Sequence, residues 1–152
     1  METIEDFRGE SPLKRSEMAK IVSIYLTDIL KKEVIHQRQC SLFSDIKNIT
    51  SDLHDYMIEA CDLGIMGRTA DGQNAMEKFF PNDEVTKAEG STIISRIFWK
   101  NLYRNGKGQA RYEEHLNHLV EIWAMKDAKN VNAPFSRKDF YGTLKKIYTL
   151  DL

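Results

Sequence analysis

Three short segments of the chain carry the same residue types at the same spacing: Lys14-Arg15-Ser16-Glu17, Thr86-Lys87-Ala88-Glu89 and Ser136-Arg137-Lys138-Asp139. Each sets a base second and an acid fourth. Thr86 with Glu89 spells a capping box, in which the hydroxyl accepts an early helix N–H and the acid reaches back. Ser136 with Asp139 is a weaker version of the same device. Capping accounts for the first and fourth positions but not for the second. A cation in the first helical turn opposes the macrodipole, at a cost of about a few tenths of a kcal/mol. Two readings stand for Arg15, Lys87 and Arg137. Each makes a salt bridge to a neighbouring unit, or each joins its helix N-terminus in holding an anion. The second gives the threefold recurrence of a base a reason, and it is the one we expect.

The elements that must position these groups follow from periodicity. Downstream of each tetrad the apolar residues keep one register: Val22, Ile94 and Leu144; Tyr25, Ile97 and Ile147; Leu26, Phe98 and Tyr148. That spacing is one face of a helix. An apolar residue stands before each tetrad (Leu13, Val85, Phe135), and Pro12, Pro81 and Pro134 lie close by. A second helix type alternates with the first. Leu53, Tyr56, Met57, Ala60 and Cys61 form one stripe ending at Gly64, a C-terminal cap. Tyr112, Leu116, Leu119, Val120 and Trp123 form another, and Asp62–Met66 aligns with Glu121–Met125. Turn residues fill 67–82, and the shorter stretch after Met125 carries Asn130, Asn132 and Pro134. No segment sustains a period of two bounded by turns, which leaves room only for short extended pieces around Leu42-Phe43 and Phe79-Phe80. The expected fold class is all-α.

Composition excludes more than it assigns. The chain of 152 residues balances 22 basic against 23 acidic side chains, so bulk charge points to neither nucleic acid nor a membrane surface. No apolar run is long enough for a membrane span. The opening METIEDFRGES is acidic and shows no apolar signal-peptide core, so export would make this a mature form or a piece of a longer protein. Cys40 and Cys61 either pair, closing a loop of about 20 residues, or stay reduced as small buried hydrophobes. His115 and His118 share a helix face, but with no further ligands at metal-binding spacing they read as exposed or half-buried residues; no metal or other cofactor is expected. Trp99, Tyr103 and Tyr112 beside Arg104, Lys107 and Arg111 read as core aromatics flanking a loop. Asp71-Gly72-Gln73-Asn74 reads as a plain turn. No nucleophile elbow, phosphate loop or dinucleotide fingerprint occurs, and no catalytic activity is expected.

The tetrads sit in a longer pattern. Phe43-Ser44-Asp45, Gly64-Ile65-Met66-Gly67, Phe80-Pro81-Asn82 and Val85-Thr86-Lys87-Ala88-Glu89 follow one another in the order seen in S-layer homology domains, and the chain resembles that family of bacterial cell-surface modules. On this resemblance it is a single domain over 1–152. Residues 12–41 are the second half of a first repeat, 42–104 a complete second repeat and 110–150 a compact third. The family's fold implies a pseudo-threefold bundle with grooves between units. Those grooves hold anionic secondary cell-wall polysaccharide, with the signature base on its acidic groups. Carried over, Arg15, Lys87 and Arg137 contact the ligand, while Glu17, Thr86, Glu89, Ser136 and Asp139 support the loop and helix start. The implied role is non-catalytic anchoring at the bacterial surface, outside the cell. The chain departs from the family at Lys14 for Thr, Lys87 for Arg, Gly90 and Leu53 for aromatics, and Trp123 for the turn glycine. These departures motivate an alternative, a helical protein–protein module for surface-lattice assembly or an adaptor role.

Overall fold

A computed structural model describes residues 11–69, 72–99, 113–122 and 124–149. The fold is all-α, with no strand among the described residues. Its helices are α1 (Arg15–Ile24), α2 (Leu53–Asp62), α3 (Lys87–Trp99), α4 (Glu113–Glu121) and α5 (Arg137–Thr149). A π-helical turn, Tyr25–Ile29, extends α1, and a 3-10 turn spans Arg38–Ser41. None of the described helices is long and apolar enough to cross a membrane. The stretches at Leu42-Phe43 and Phe79-Phe80, which the sequence left open to short extended pieces, are loop. In their place stand isolated bridges, Pro12 with Ser136, Lys14 with Glu84 and Thr86 with Pro134.

Each helix end has a local cause. At the start of α5, Ser136 Oγ accepts the Asp139 N–H at 3.1 Å and Asp139 accepts the Ser136 N–H at 3.1 Å, a complete capping box. At α3 only half of it forms: Thr86 Oγ1 accepts the Glu89 N–H at 3.2 Å, while the Glu89 carboxylate turns outward to other work. At α1, where Lys14 offers no acceptor, Glu17 still takes the Lys14 N–H at 3.1 Å. Gly64 ends α2 at φ +81°, with the Gly64 N–H on Cys61 and the Ile65 N–H on Ala60, a Schellman motif. The N–H groups of Ala124 and Met125 close on Leu119 in the same way. That is the alignment of Asp62–Met66 with Glu121–Met125 read from sequence. Tyr112 and Trp123, two of the predicted α4 stripe, lie outside the described residues.

The three tetrad segments close a ring. Leu13 N–H donates to Phe135, Phe135 N–H to Val85, and Val85 N–H to Leu13, at 3.2, 2.7 and 2.7 Å. Their side chains are buried at the centre of the core. An outer circuit repeats the pattern. The first-turn N–H groups of Arg15, Lys87 and Arg137 go to the carbonyls of Asp83, Ala133 and Ser11. Orphan donors at each helix start are thus satisfied by the loop of another segment. Further out, backbones pack closely in two pairs, α1 with α2 and α3 with α4. The apolar registers are buried at Val22, Leu26, Ile94 and Ile97 and half-buried at Tyr25 and Phe98, but Tyr148, in the last register of α5, is 70% exposed. Among the described residues, no helix packs on α5 with the closeness of those two pairs.

Candidate ligand-binding site

The ring gathers the three tetrad bases. Arg15 Nε donates to the Phe79 carbonyl at 2.7 Å and Nη1 meets Glu89 Oε2 at 2.6 Å. Lys87 Nζ donates to the Lys129 carbonyl at 2.7 Å and meets Asp127 Oδ1 at 2.9 Å. Arg137 Nη2 meets Glu17 Oε2 at 2.6 Å. Phe79 and Lys129 are equivalent positions, each just before a residue in the left-handed region: Phe80 at φ 59° and Asn130 at φ 56°. Arg15 and Lys87 therefore leave their own helices to tie the loop of another segment, and Arg137 reaches across to Glu17 on α1. The side chains of Arg15, Arg137 and Lys87 are 14%, 14% and 21% exposed. Of the two readings of the base, the inter-unit salt bridge is present in all three. Hydrogen bonds from Lys87 and then from the Lys129 N–H hold the Asp127 carboxyl below its usual range.

The pairs are not sealed. A groove of about 410 Å³ opens beside Arg15. Its lining includes three guanidinium groups, Arg15, Arg68 and Arg96, against the carboxylates of Asp83 and Glu89. Thr86 lies in the same wall, and Phe80 forms part of the rim with 42% of its surface exposed. Asp45 holds that rim in place by accepting the N–H groups of both Phe79 and Phe80, at 2.9 and 2.8 Å. A left-handed backbone at a bulky residue is a strained state, maintained when its surroundings over-determine it.

A second groove, about 490 Å³, opens beside Lys87. Lys126, Lys138 and Lys146 line it with Lys87, and Asp139 is the one carboxylate among its described lining residues. The sequence-predicted residues thus divide: Arg15, Thr86 and Glu89 in the first groove, Lys87 and Asp139 in the second. Arg137 with Glu17 makes the third pair, and Ser136 serves as a cap.

Sequence reasoning missed Arg68, Arg96, Lys126, Lys138 and Lys146. A signal existed for two of them: Arg96 and Lys146 stand at the same distance from Thr86 and Ser136. Arg96 is buried, with Nη1 and Nη2 on the carbonyls of Ile65 and Thr69. Arg68 gave no such signal. It is buried with Nε and Nη2 on the Cys61 carbonyl at 3.0 and 2.8 Å, capping the end of α2.

Cys40 and Cys61 form a disulfide, Cα–Cα 5.6 Å, fastening the 3-10 turn to α2. His115 differs from the exposed or half-buried residue expected. It is fully buried between α3 and α4, with Nδ1 2.7 Å from Ser95 Oγ. Burial, and then the Arg96 cation, lowers its pKa to about 4, so it is neutral at ordinary pH. His118 meets the Trp99 ring edge-on at 4.5 Å. Among the described residues no three His, Cys, Asp or Glu side chains gather as a metal site. Tyr103, Arg104, Lys107, Arg111 and Tyr112 lie outside the described residues, as does the turn residue Asp71. The chain matches no protein-family model and no curated protein sequence.

Proposed function

We propose that the chain is a non-catalytic module that anchors a protein to the bacterial surface by holding anionic cell-wall polysaccharide in the grooves beside Arg15 and Lys87. It would work as the S-layer homology domains it resembles do. The observation that carries the reading is the ring. Three helix starts with a base apiece converge on one centre, and open, cation-lined grooves lie beside two of those bases. A binding groove needs a few fixed polar groups and apolar area on which a sugar face can rest. Phe80 supplies that area and the arginines the charge. A guanidinium already paired with Glu89 still presents unused N–H donors to a ligand carboxylate, since it carries five.

The test is sedimentation of the purified protein with cell-wall sacculi. Alanine at Arg15, Lys87 and Arg137 together should abolish co-sedimentation. Because those bases also tie the segments together, Phe80→Asn is the companion variant. It removes the rim ring and keeps every cation, and asparagine already occupies the equivalent left-handed position at Asn130. Undiminished sedimentation of Phe80→Asn and of the folded triple variant would remove the groove from the account.

One observation favours docking to a protein instead. Ile29 and Ile35, near the π-helical turn, are 59% and 69% exposed. Sedimentation equilibrium over a range of protein concentrations separates the readings, because glycan binding predicts a monomer throughout.

A further inference from the structure

We propose that the groove beside Lys87 is a separate anion site that takes phosphate groups, with Lys126 and Lys146 as its principal ligands. This deepens the glycan-anchoring reading and rests on it only for the source of the phosphate. The two grooves differ in chemistry. The first sets three guanidiniums against two carboxylates, a lining suited to planar, bidentate partners. Among the described residues, the second holds four lysines against one carboxylate and no guanidinium. An ammonium is a compact point charge whose three donors turn freely, so it engages a tetrahedral anion without the coplanarity that bidentate pairing needs. Asp139, the only acid among the described lining residues, is committed to the Ser136 N–H. Lys87 is committed to Asp127 and the Lys129 carbonyl, which fixes it as a charged wall. Lys126 and Lys146, in the same lining, stand exposed on the loop after α4 and on α5. Gly142 lines the same groove, and an added Cβ there would meet nothing within 4 Å. Open space over a helical glycine in a lysine-lined groove leaves room for the ligand.

The experiment is calorimetric titration with poly(glycerol phosphate), inorganic tripolyphosphate and polygalacturonate, at about 50 and about 200 mM salt. Two variants test the groove independently: K126Q/K146Q removes charge, and Gly142→Leu puts bulk into the groove while leaving every charge in place. Both should weaken poly(glycerol phosphate) binding at least about tenfold and leave polygalacturonate binding unchanged. The double variant should also lower the salt slope by about one for each lysine removed. Unchanged phosphate binding in Gly142→Leu, or parallel loss of polygalacturonate, overturns the proposal. Binding of tripolyphosphate without the polymer supports the site and assigns it to free phosphate. Should the protein fail to sediment with sacculi while Gly142→Leu still loses phosphate, anchoring fails and the phosphate site stands.

Discussion

A base that spans from one segment to another is worth more than one that reaches into water. Arg15 combines a carboxylate and a backbone carbonyl in a partly buried setting. Removing it leaves both acceptors without that donor, and Arg15→Ala should destabilise the fold by about 2–3 kcal/mol in urea titration. Lys20 and Asp52, paired at 2.8 Å but largely exposed, are the internal comparison, and Lys20→Ala should leave the unfolding midpoint unchanged. His115 sets the acid response. Its folded pKa of about 4 lies below the ordinary 6.5, so below about pH 6.5 the unfolded chain takes up a proton that the folded one refuses. Stability therefore falls from about pH 6.5 to about 4 and levels beneath, a loss of up to about 3 kcal/mol. Urea midpoints at about pH 7 and about pH 4.5 should differ less in His115→Gln than in the wild type. The recurrence of the bases was legible in the sequence because it is a pattern of types. Their partners were not, because Glu89 and Glu17 are remote in the chain and Phe79 and Lys129 contribute only backbone. The burial of His115 had a sequence signal: it stands one helical turn before Leu119.

At the scale of elements, two helical glycines respond in opposite ways to the same change. Gly142 faces open space, so Gly142→Ala gains helix propensity and should raise stability by about 0.5–1 kcal/mol. A Cβ at Gly90 would meet the Phe135 ring at 2.5 Å. Gly90→Ala should cost about 1–3 kcal/mol through overpacking in the centre of the ring. Thermal melts of both variants suffice to check the signs. The need for glycine at 90 was invisible in the sequence, where the position looked like a missing aromatic; Phe135, from another segment, fills that space. The helices themselves were legible, since a 3.6 period and capping residues are local signals. The exposure of Tyr148 was not, because periodicity states which face a residue occupies and not whether anything covers it.

At the scale of the molecule, the packing pairs cut across the sequence units. A fragment of residues 42–104 contains α2 and α3 but leaves out α1 and α4, the helices packed on them. It also lacks two of the three ring segments. By circular dichroism it should be largely unfolded in isolation. The disulfide joins parts that are 21 residues apart. By the chain-entropy estimate, Cys40→Ser with Cys61→Ser should lower stability by about 3 kcal/mol. The sequence left that pair open between bridged and reduced, because proximity in the fold has no local signature. The grooves are likewise a product of assembly: each draws its lining from several stretches of chain, and only the tetrad residues announced themselves. The most direct measurement of the central claim is co-sedimentation with sacculi of the wild type, Phe80→Asn and Gly142→Leu, each shown by its melt to be folded. Anchoring through the grooves predicts that the wild type pellets and that both variants stay largely in the supernatant. Equal pelleting of all three, or a wild type that remains in solution, would contradict it.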